Sequence, residues 1–307
     1  MKTTLTITQI IEEWLSNADV LPITKQSYRN KTNLWFRYLL KEGIDVRSAK
    51  RIHVLNYKHC LENNSYSQLT VNSYITAVKL FYGYCESMRY CENISVGIRG
   101  ISRYKGHRKS PLTVEQAYDL LGVIDVSTVT GKRDKLMICL MLFAGLRTCE
   151  VQRINICDFD LCDGIYVLTI QRKGRREKAE TISVTQTIMD LFEDYTACRG
   201  FTVTDPLFVS RAGKHKGARL TRSTISEIVK SYLRRAGLDR SDLTAHSLRH
   251  TCGSLLVEQG TDIETVKDIM GHTSTTTTRI YVQQAQQKRL IKNSPISFVE
   301  DAVINAK

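Results

Sequence analysis

Residues 132–144 read KRDKLMICLMLFA, a run of helical length that is apolar on most faces and stops at Gly145. A helix with no polar side has to run through the middle of a domain, with other elements wrapped around it. A glycine just past the last apolar residue closes such a helix, because it takes the left-handed backbone readily. The second half of the chain is therefore expected to be built around this rod. LTVEQAYDLL, after Pro111, predicts a helix capped by Thr113 with Gln116 in capping-box position. LRTCEVQRI predicts another helix directly after Gly145, with Arg147 at its start. IYVLTI and AETISV flank QRKGRREK and predict a β-hairpin with Lys173 at its tip. Residues 186–198 read as helical. RAGKHKGARL is a basic loop, and TRSTISEIVKSYLRRAG is a helix closed by Gly237. The block 244–281 follows, then a tail, SPISFVEDAVINAK, with the pattern of a short amphipathic helix.

The first hundred residues carry a different pattern. Ile7, Ile10, Ile11, Trp14 and Leu15 fall at helical spacing in residues 7–17. Further helices are expected over residues 25–41, 49–62 and 69–88, the first of these ending at Gly43 and the last carrying Val71, Tyr74, Ile75, Val78, Phe81 and Tyr82. Four amphipathic helices with short loops make a compact helical domain, and their aromatic stripes are read as its core. RGISRYKGHRKSP, residues 99–111, is the expected linker. The organisation is thus mainly α with a small β-hairpin or sheet (α+β): a helical domain over 1–102, a basic linker over 103–111 and a second domain over 112–307.

The chain has 307 residues, enough for two such domains, and carries a net charge of +13. The excess is spread: 15 basic against 8 acidic residues in 1–105 and 29 against 23 in the remainder, or +7 and +6. Both halves can therefore face a phosphate backbone. The nine cysteines include no C-x-x-C pair, so zinc spacing is absent, and Cys139 sits in an apolar run as a small hydrophobe. The amino terminus shows no basic stretch leading into an apolar one, no apolar run has the length of a membrane span, and the cysteine count is odd. A cytoplasmic protein is expected.

The block TAHSLRHTCGSLLVEQGTDIETVKDIMGHTSTTTTRIY, residues 244–281, gathers His246, Arg249 and His250, then Gly271 and His272, then Tyr281. Upstream stand Arg147, Glu150 and Lys173. Each residue alone has an ordinary structural explanation. As a set they suit the attack of a tyrosine on a phosphodiester. Two planar guanidiniums bind non-bridging oxygens and stabilise added negative charge. A phenol of ordinary pKa, about 10, needs a base or a strongly positive site before it attacks. His246 is a candidate to take or share that proton, His272 to hydrogen-bond a phosphate oxygen, and a hairpin lysine to protonate the leaving oxygen. Carboxylate clusters for two metal ions and a G-x-x-x-x-G-K-[ST] loop are both missing from the sequence.

HSLRH, AGLRTCE, a hairpin lysine before glycine, and GH with a tyrosine nine residues after its histidine together resemble the tyrosine recombinase family, which holds phage integrases and the Xer recombinases. The resemblance covers the whole layout and is strongest over 145–281. It implies that Arg147 and Arg249 are the catalytic arginines, Lys173 the hairpin lysine, His246 and His272 the active-site histidines and Tyr281 the nucleophile. Glu150 takes the place of an acidic residue supporting the first arginine, and His250 is read as packing behind the site. It also implies a core-binding helical domain, a catalytic domain, a clamp on duplex DNA, paired inverted-repeat sites, a tetramer on DNA with or without a second recombinase, and a 3′-phosphotyrosyl intermediate formed without metal or cofactor. With a first helix near residue 5, no arm-type domain is expected, which favours a simple Xer-like layout. Arg103, Lys105, Arg108 and Lys109 of the linker, and Arg211, Lys214, Lys216, Arg219 and Arg222 further on, are the expected phosphate contacts. Ile296, Phe298, Val299 and Val303 are expected to form a tail helix that docks on a neighbouring protomer. A topoisomerase of the same chemistry, or a non-catalytic DNA-binding protein of this fold, are the competing readings.

Overall fold

The computed structural model describes residues 5–100, 109–200, 202–211, 213–292 and 303–304. The chain divides into two compact units, residues 1–105 and 106–307. The first holds α1 (Ile7–Asn17), α2 (Pro22–Lys41), α3 (Arg51–Asn63) and α4 (Gln68–Ser87). Thr6 caps α1 in a reciprocal box with Gln9, and the Ser67 hydroxyl caps α4. The second helix starts at Pro22, three residues before the expected start, because proline's fixed φ suits a first turn that needs no N–H. Its aromatic stripe does go to the core: Trp35 is fully buried, 5.1 Å from the Tyr57 ring, and its indole N–H donates to the Tyr82 hydroxyl at 3.3 Å.

The second unit contains α5 (Val114–Gly122), α6 (Val129–Phe143), α7 (Thr148–Arg153), β1 (Phe159–Cys162), β2 (Ile165–Ile170), β3 (Glu180–Ser183), α8 (Gln186–Ala197), α9 (Arg222–Arg235), α10 (Ala245–Glu258), α11 (Ile263–Met270) and α12 (Thr275–Lys292). As its sequence demands, α6 is the buried rod: Leu136 through Leu142 are all at most 4% exposed. It packs against α8, α10 and α7. It begins at Val129, earlier than its apolar run, because the Thr128 side chain accepts from the Gly131 N–H and caps the polar first turn. The expected hairpin is β2–β3, with Leu168 paired to Ile182, but β1 adds a third antiparallel strand, Phe159 opposite Leu168. Phe159 is half-buried and Asp160, Leu161 and Cys162 are exposed, so β1 gives no alternating signal from which sequence reasoning could find it.

The tail residues 293–302 and 305–307 lie outside the described residues, and so does the docking helix expected there; Val303 is exposed. Among the described residues no helix is long and apolar enough to cross a membrane.

Candidate active site

Two glycines with left-handed backbones frame the site. Gly145 (φ +63°) ends the α6 rod, and Gly271 (φ +56°) ends α11. Each is also a close approach. A Cβ on Gly145 would stand 2.8 Å from Met270 Sδ, and one on Gly271 would stand 2.5 Å from Arg172 Cζ. A side chain at either position is strained by conformation and forces its neighbour to move.

The last turn of a helix leaves carbonyls without N–H partners and carries the negative end of the helix dipole. At the end of α11 those carbonyls receive three guanidiniums. Arg172 Nη2 donates to Ile269 O at 3.1 Å, Arg249 Nη2 to Met270 O, and Arg147 Nη2 to Gly271 O at 3.1 Å. Arg249 Nη1 also donates to Gly145 O at 2.5 Å. The two glycine carbonyls thus orient the two arginines that the sequence singled out.

Glu150 supplies the counter-charge from α7 and is completely buried. Its Oε1 accepts from Arg147 Nη1 at 2.6 Å and from the Lys173 N–H at 3.2 Å; its Oε2 accepts from the Arg147 N–H at 2.9 Å. Arg172 Nη1 and Arg249 Nη1 lie 3.7 and 3.8 Å from Oε2. Burial pushes the carboxyl pKa up, but the Arg147 N–H and the guanidiniums outweigh it, and Glu150 ends below its ordinary value. Arg249 is 1% exposed, and burial first, then the Arg147 charge, pull its pKa down to about 10. Three guanidiniums around one buried carboxylate leave an excess of positive charge that suits an anion.

Arg147, Lys173 and His246 line one pocket of about 300 Å³ together with Arg222, Ser226 and Thr244. Arg249, His272 and Tyr281 complete the group alongside it. His272 Nδ1 lies 2.9 Å from Thr278 Oγ1, and its ring stacks on the Tyr281 ring at 6.2 Å. Burial, then the Arg249 and Arg147 charges, depress the His272 pKa to about 3, so the imidazole is neutral. In the tautomer whose Nδ1 accepts from the Thr278 hydroxyl, the neutral ring presents an N–H donor at Nε2. His250 is buried between its neighbours, its ring 4.5 Å from His246 and 5.5 Å from Tyr281. Tyr281 itself is 2% exposed, packed with Cys252, Val266 and Met270, and burial pushes its pKa up to about 12 against the pull of Arg249.

The expected phosphate contacts divide. Arg222 is exposed at the pocket wall, and Arg211, Lys214 and Lys216 are exposed in the basic loop. Arg219 is half-buried, and its guanidinium donates to Gln152 O, Ile154 O and Asn155 Oδ1, tying the loop to the end of α7. Lys109 donates to Ser241 O at 2.8 Å. Arg103, Lys105 and Arg108 lie outside the described residues.

Three site residues escaped the sequence reading. Arg172 looked like one more cation in QRKGRREK. Thr278 closes the low-complexity run TSTTTT, and Gly253 on α10 lies against the Tyr281 ring, where a Cβ would stand 2.7 Å from Cε2. Their common signal is spacing from the core motif: Thr278 is six residues after His272, and Gly253 is four after Arg249.

The profile of the phage integrase family matches residues 110–288. A tyrosine recombinase XerC from Chlamydia caviae is 31% identical over 264 residues, covering 84% of this chain and 78% of that protein. A tyrosine recombinase XerD from Staphylococcus haemolyticus is 26% identical over 285 residues, 89% of this chain and 92% of the relative. In fold, the chain is similar to a XerH site-specific recombinase crystallised with palindromic difH substrate in a post-cleavage complex, with a TM-score of 0.74 at 21% identity over 94% of this chain and 84% of that one. The chain belongs to the phage integrase family and is a tyrosine-type site-specific recombinase.

Proposed function

We propose that this recombinase cuts and rejoins duplex DNA through a 3′-phosphotyrosyl intermediate on Tyr281, with the pocket beside Arg147 and Lys173 receiving the scissile phosphate. One observation carries the reading: Arg147, Arg249 and His272, each held by a backbone carbonyl or a buried hydroxyl, converge next to the Tyr281 ring. Preorganised donors of that kind stabilise a pentacovalent phosphate without reorganising during the reaction. Arg147 and Arg249 bind the non-bridging oxygens, and the Nε2–H of His272 donates to one of them. His246 takes the phenolic proton, with His250 packed behind both rings. The Tyr281 oxygen bonds to phosphorus as the bond to the 5′-oxygen breaks, and Lys173 protonates that oxygen. Reversal by a 5′-hydroxyl of another strand joins the new partner. At 2% exposure the Tyr281 side chain is shielded from solvent.

Residues 1–102 are the core-binding domain in this reading, and exposed Arg211, Lys214, Lys216 and Arg222 contact phosphates. The similar XerH structure holds a palindromic substrate, which supports paired inverted-repeat sites here; the reading places a tetramer on them, with or without a second recombinase. The test is covalent trapping in the host: denaturing lysis, capture of the protein and sequencing of the attached DNA, with Tyr281→Phe as control. Adducts at one short inverted-repeat site are expected. Adducts scattered over the genome would replace this reading by a topoisomerase, and no adduct above the control would leave a DNA-binding protein.

A further inference from the structure

We infer that Arg172 is a positioning residue that sets Lys173 at the leaving oxygen. This rests on the reading of Lys173 as proton donor. The residue before the hairpin lysine is the most heavily engaged side chain of its loop. Arg172 is only 4% exposed although it lies in a loop of cations. Its Nε donates to Glu180 Oε2 at 2.7 Å, closing the stem between β2 and β3. Its Nη2 reaches Ile269 O at 3.1 Å at the end of α11, and its Nη1 stands 3.7 Å from Glu150 Oε2. The guanidinium passes directly beneath Gly271, where no Cβ would fit.

One side chain therefore joins the root of the lysine loop to three other parts of the site: the carboxylate that also holds Arg147, the helix end that also holds Arg249, and the glycine before His272. Lys173 itself has a single anchor of this kind, its own N–H on Glu150 Oε1 at 3.2 Å. Gln171 secures the far side of the loop, donating to Arg175 O and Arg176 O at 2.9 Å. An exposed lysine on such a loop holds a fixed direction only if the residue before it is pinned, because a flexible four-carbon stem adds its own freedom. With its Nε on Glu180 and its Nη2 on Ile269 O, Arg172 acts through Lys173 in this inference.

In the step concerned, the bond between phosphorus and the 5′-oxygen breaks as the Tyr281 oxygen bonds to phosphorus, and the proton on Lys173 Nζ passes to the departing 5′-oxygen, leaving a neutral amine. A 5′-bridging sulfur departs as a thiolate and needs no proton. The experiment uses a nicked suicide duplex carrying the site recovered by covalent trapping, made with oxygen or with sulfur at the 5′-bridging position, and measures single-turnover cleavage by the full-length wild type, Arg172→Met, Arg172→Lys and Lys173→Ala. On oxygen, Lys173→Ala is expected to lose roughly 10²-fold or more, the usual scale of general-acid catalysis, and Arg172→Met about 10-fold or more. Arg172→Lys, which keeps the charge and loses the fork, should stay nearly as slow as Arg172→Met. On sulfur, all three should return to within about threefold of wild type, since no proton is needed. Arg172→Met cleaving the oxygen substrate at the wild-type rate, or remaining slow on sulfur while Lys173→Ala recovers, would overturn the inference and leave Arg172 a fold-stabilising residue. Lys173→Ala remaining slow on sulfur would instead remove the proton-donor reading, and the inference with it.

Discussion

Gly253 lies flat against the phenol ring of Tyr281: a methyl group on it would stand 2.7 Å from Cε2 and 2.8 Å from Cζ. The seat of the nucleophile is therefore a place on α10 with no side chain. Gly253→Ala is expected to keep DNA binding in a gel shift and to lose about 10-fold or more of the SDS-stable adduct, because overpacking by one methyl costs on the order of 1–3 kcal/mol or displaces the ring. Wild-type adduct yield would show that the ring has slack which the contact distances deny.

Glu150 is the buried counter-charge, and both its oxygens accept. Turned either way, a glutamine amide points its NH2 at a donor: at Arg147 Nη1 and the Lys173 N–H on one side, or at the Arg147 N–H on the other. Glu150→Gln is expected to lower stability in urea by roughly 3 kcal/mol, the scale for breaking a buried pair from one side. A change below about 0.5 kcal/mol, typical of surface sites, would contradict the buried hub.

Much of this architecture is legible in the sequence. The α6 rod, the capping box at Thr113 and the helices of residues 1–100 follow from periodicity and punctuation, and motifs alone name the six candidate residues Arg147, Lys173, His246, Arg249, His272 and Tyr281. The remainder depends on contacts that no local pattern records. Arg219 is expected from its basic loop to contact DNA, and Arg172 carries no signal of its own, but each puts its guanidinium on carbonyls distant in sequence. Thr278 reads as filler in a threonine run until the fold places it against His272. β1 pairs through its backbone, and its mostly exposed side chains announce nothing.

His272 gives a pH signature. Its folded pKa, near 3, lies below the ordinary 6.5, so the unfolded chain binds more protons once the pH falls below about 6.5. The stability it contributes is complete above that value and is lost progressively as the pH falls toward 3. Urea midpoints measured at about pH 7.5 and about pH 5 should therefore fall more for the wild type than for His272→Gln, which cannot titrate. Equal falls would mean that His272 is not held neutral.

Thr278 is fully buried, and its hydroxyl faces His272 Nδ1 at 2.9 Å. Thr278→Val keeps the shape and removes that partner. A loss of about 1 kcal/mol of stability is expected, as for one hydrogen bond, together with slower cleavage because the donor at Nε2 is no longer fixed. Unchanged cleavage in a destabilised variant would confine Thr278 to packing.

The most direct test of the central claim is the identity of the covalent bond. The denatured protein–DNA adduct is trimmed with nuclease, digested with trypsin and sequenced by mass spectrometry. The tryptic peptide Ile280–Lys288 should carry a nucleotide remnant on Tyr281, joined through its 3′-phosphate, while the other DNA end bears a free 5′-hydroxyl. A remnant on any other residue, or one joined through a 5′-phosphate, would contradict the account.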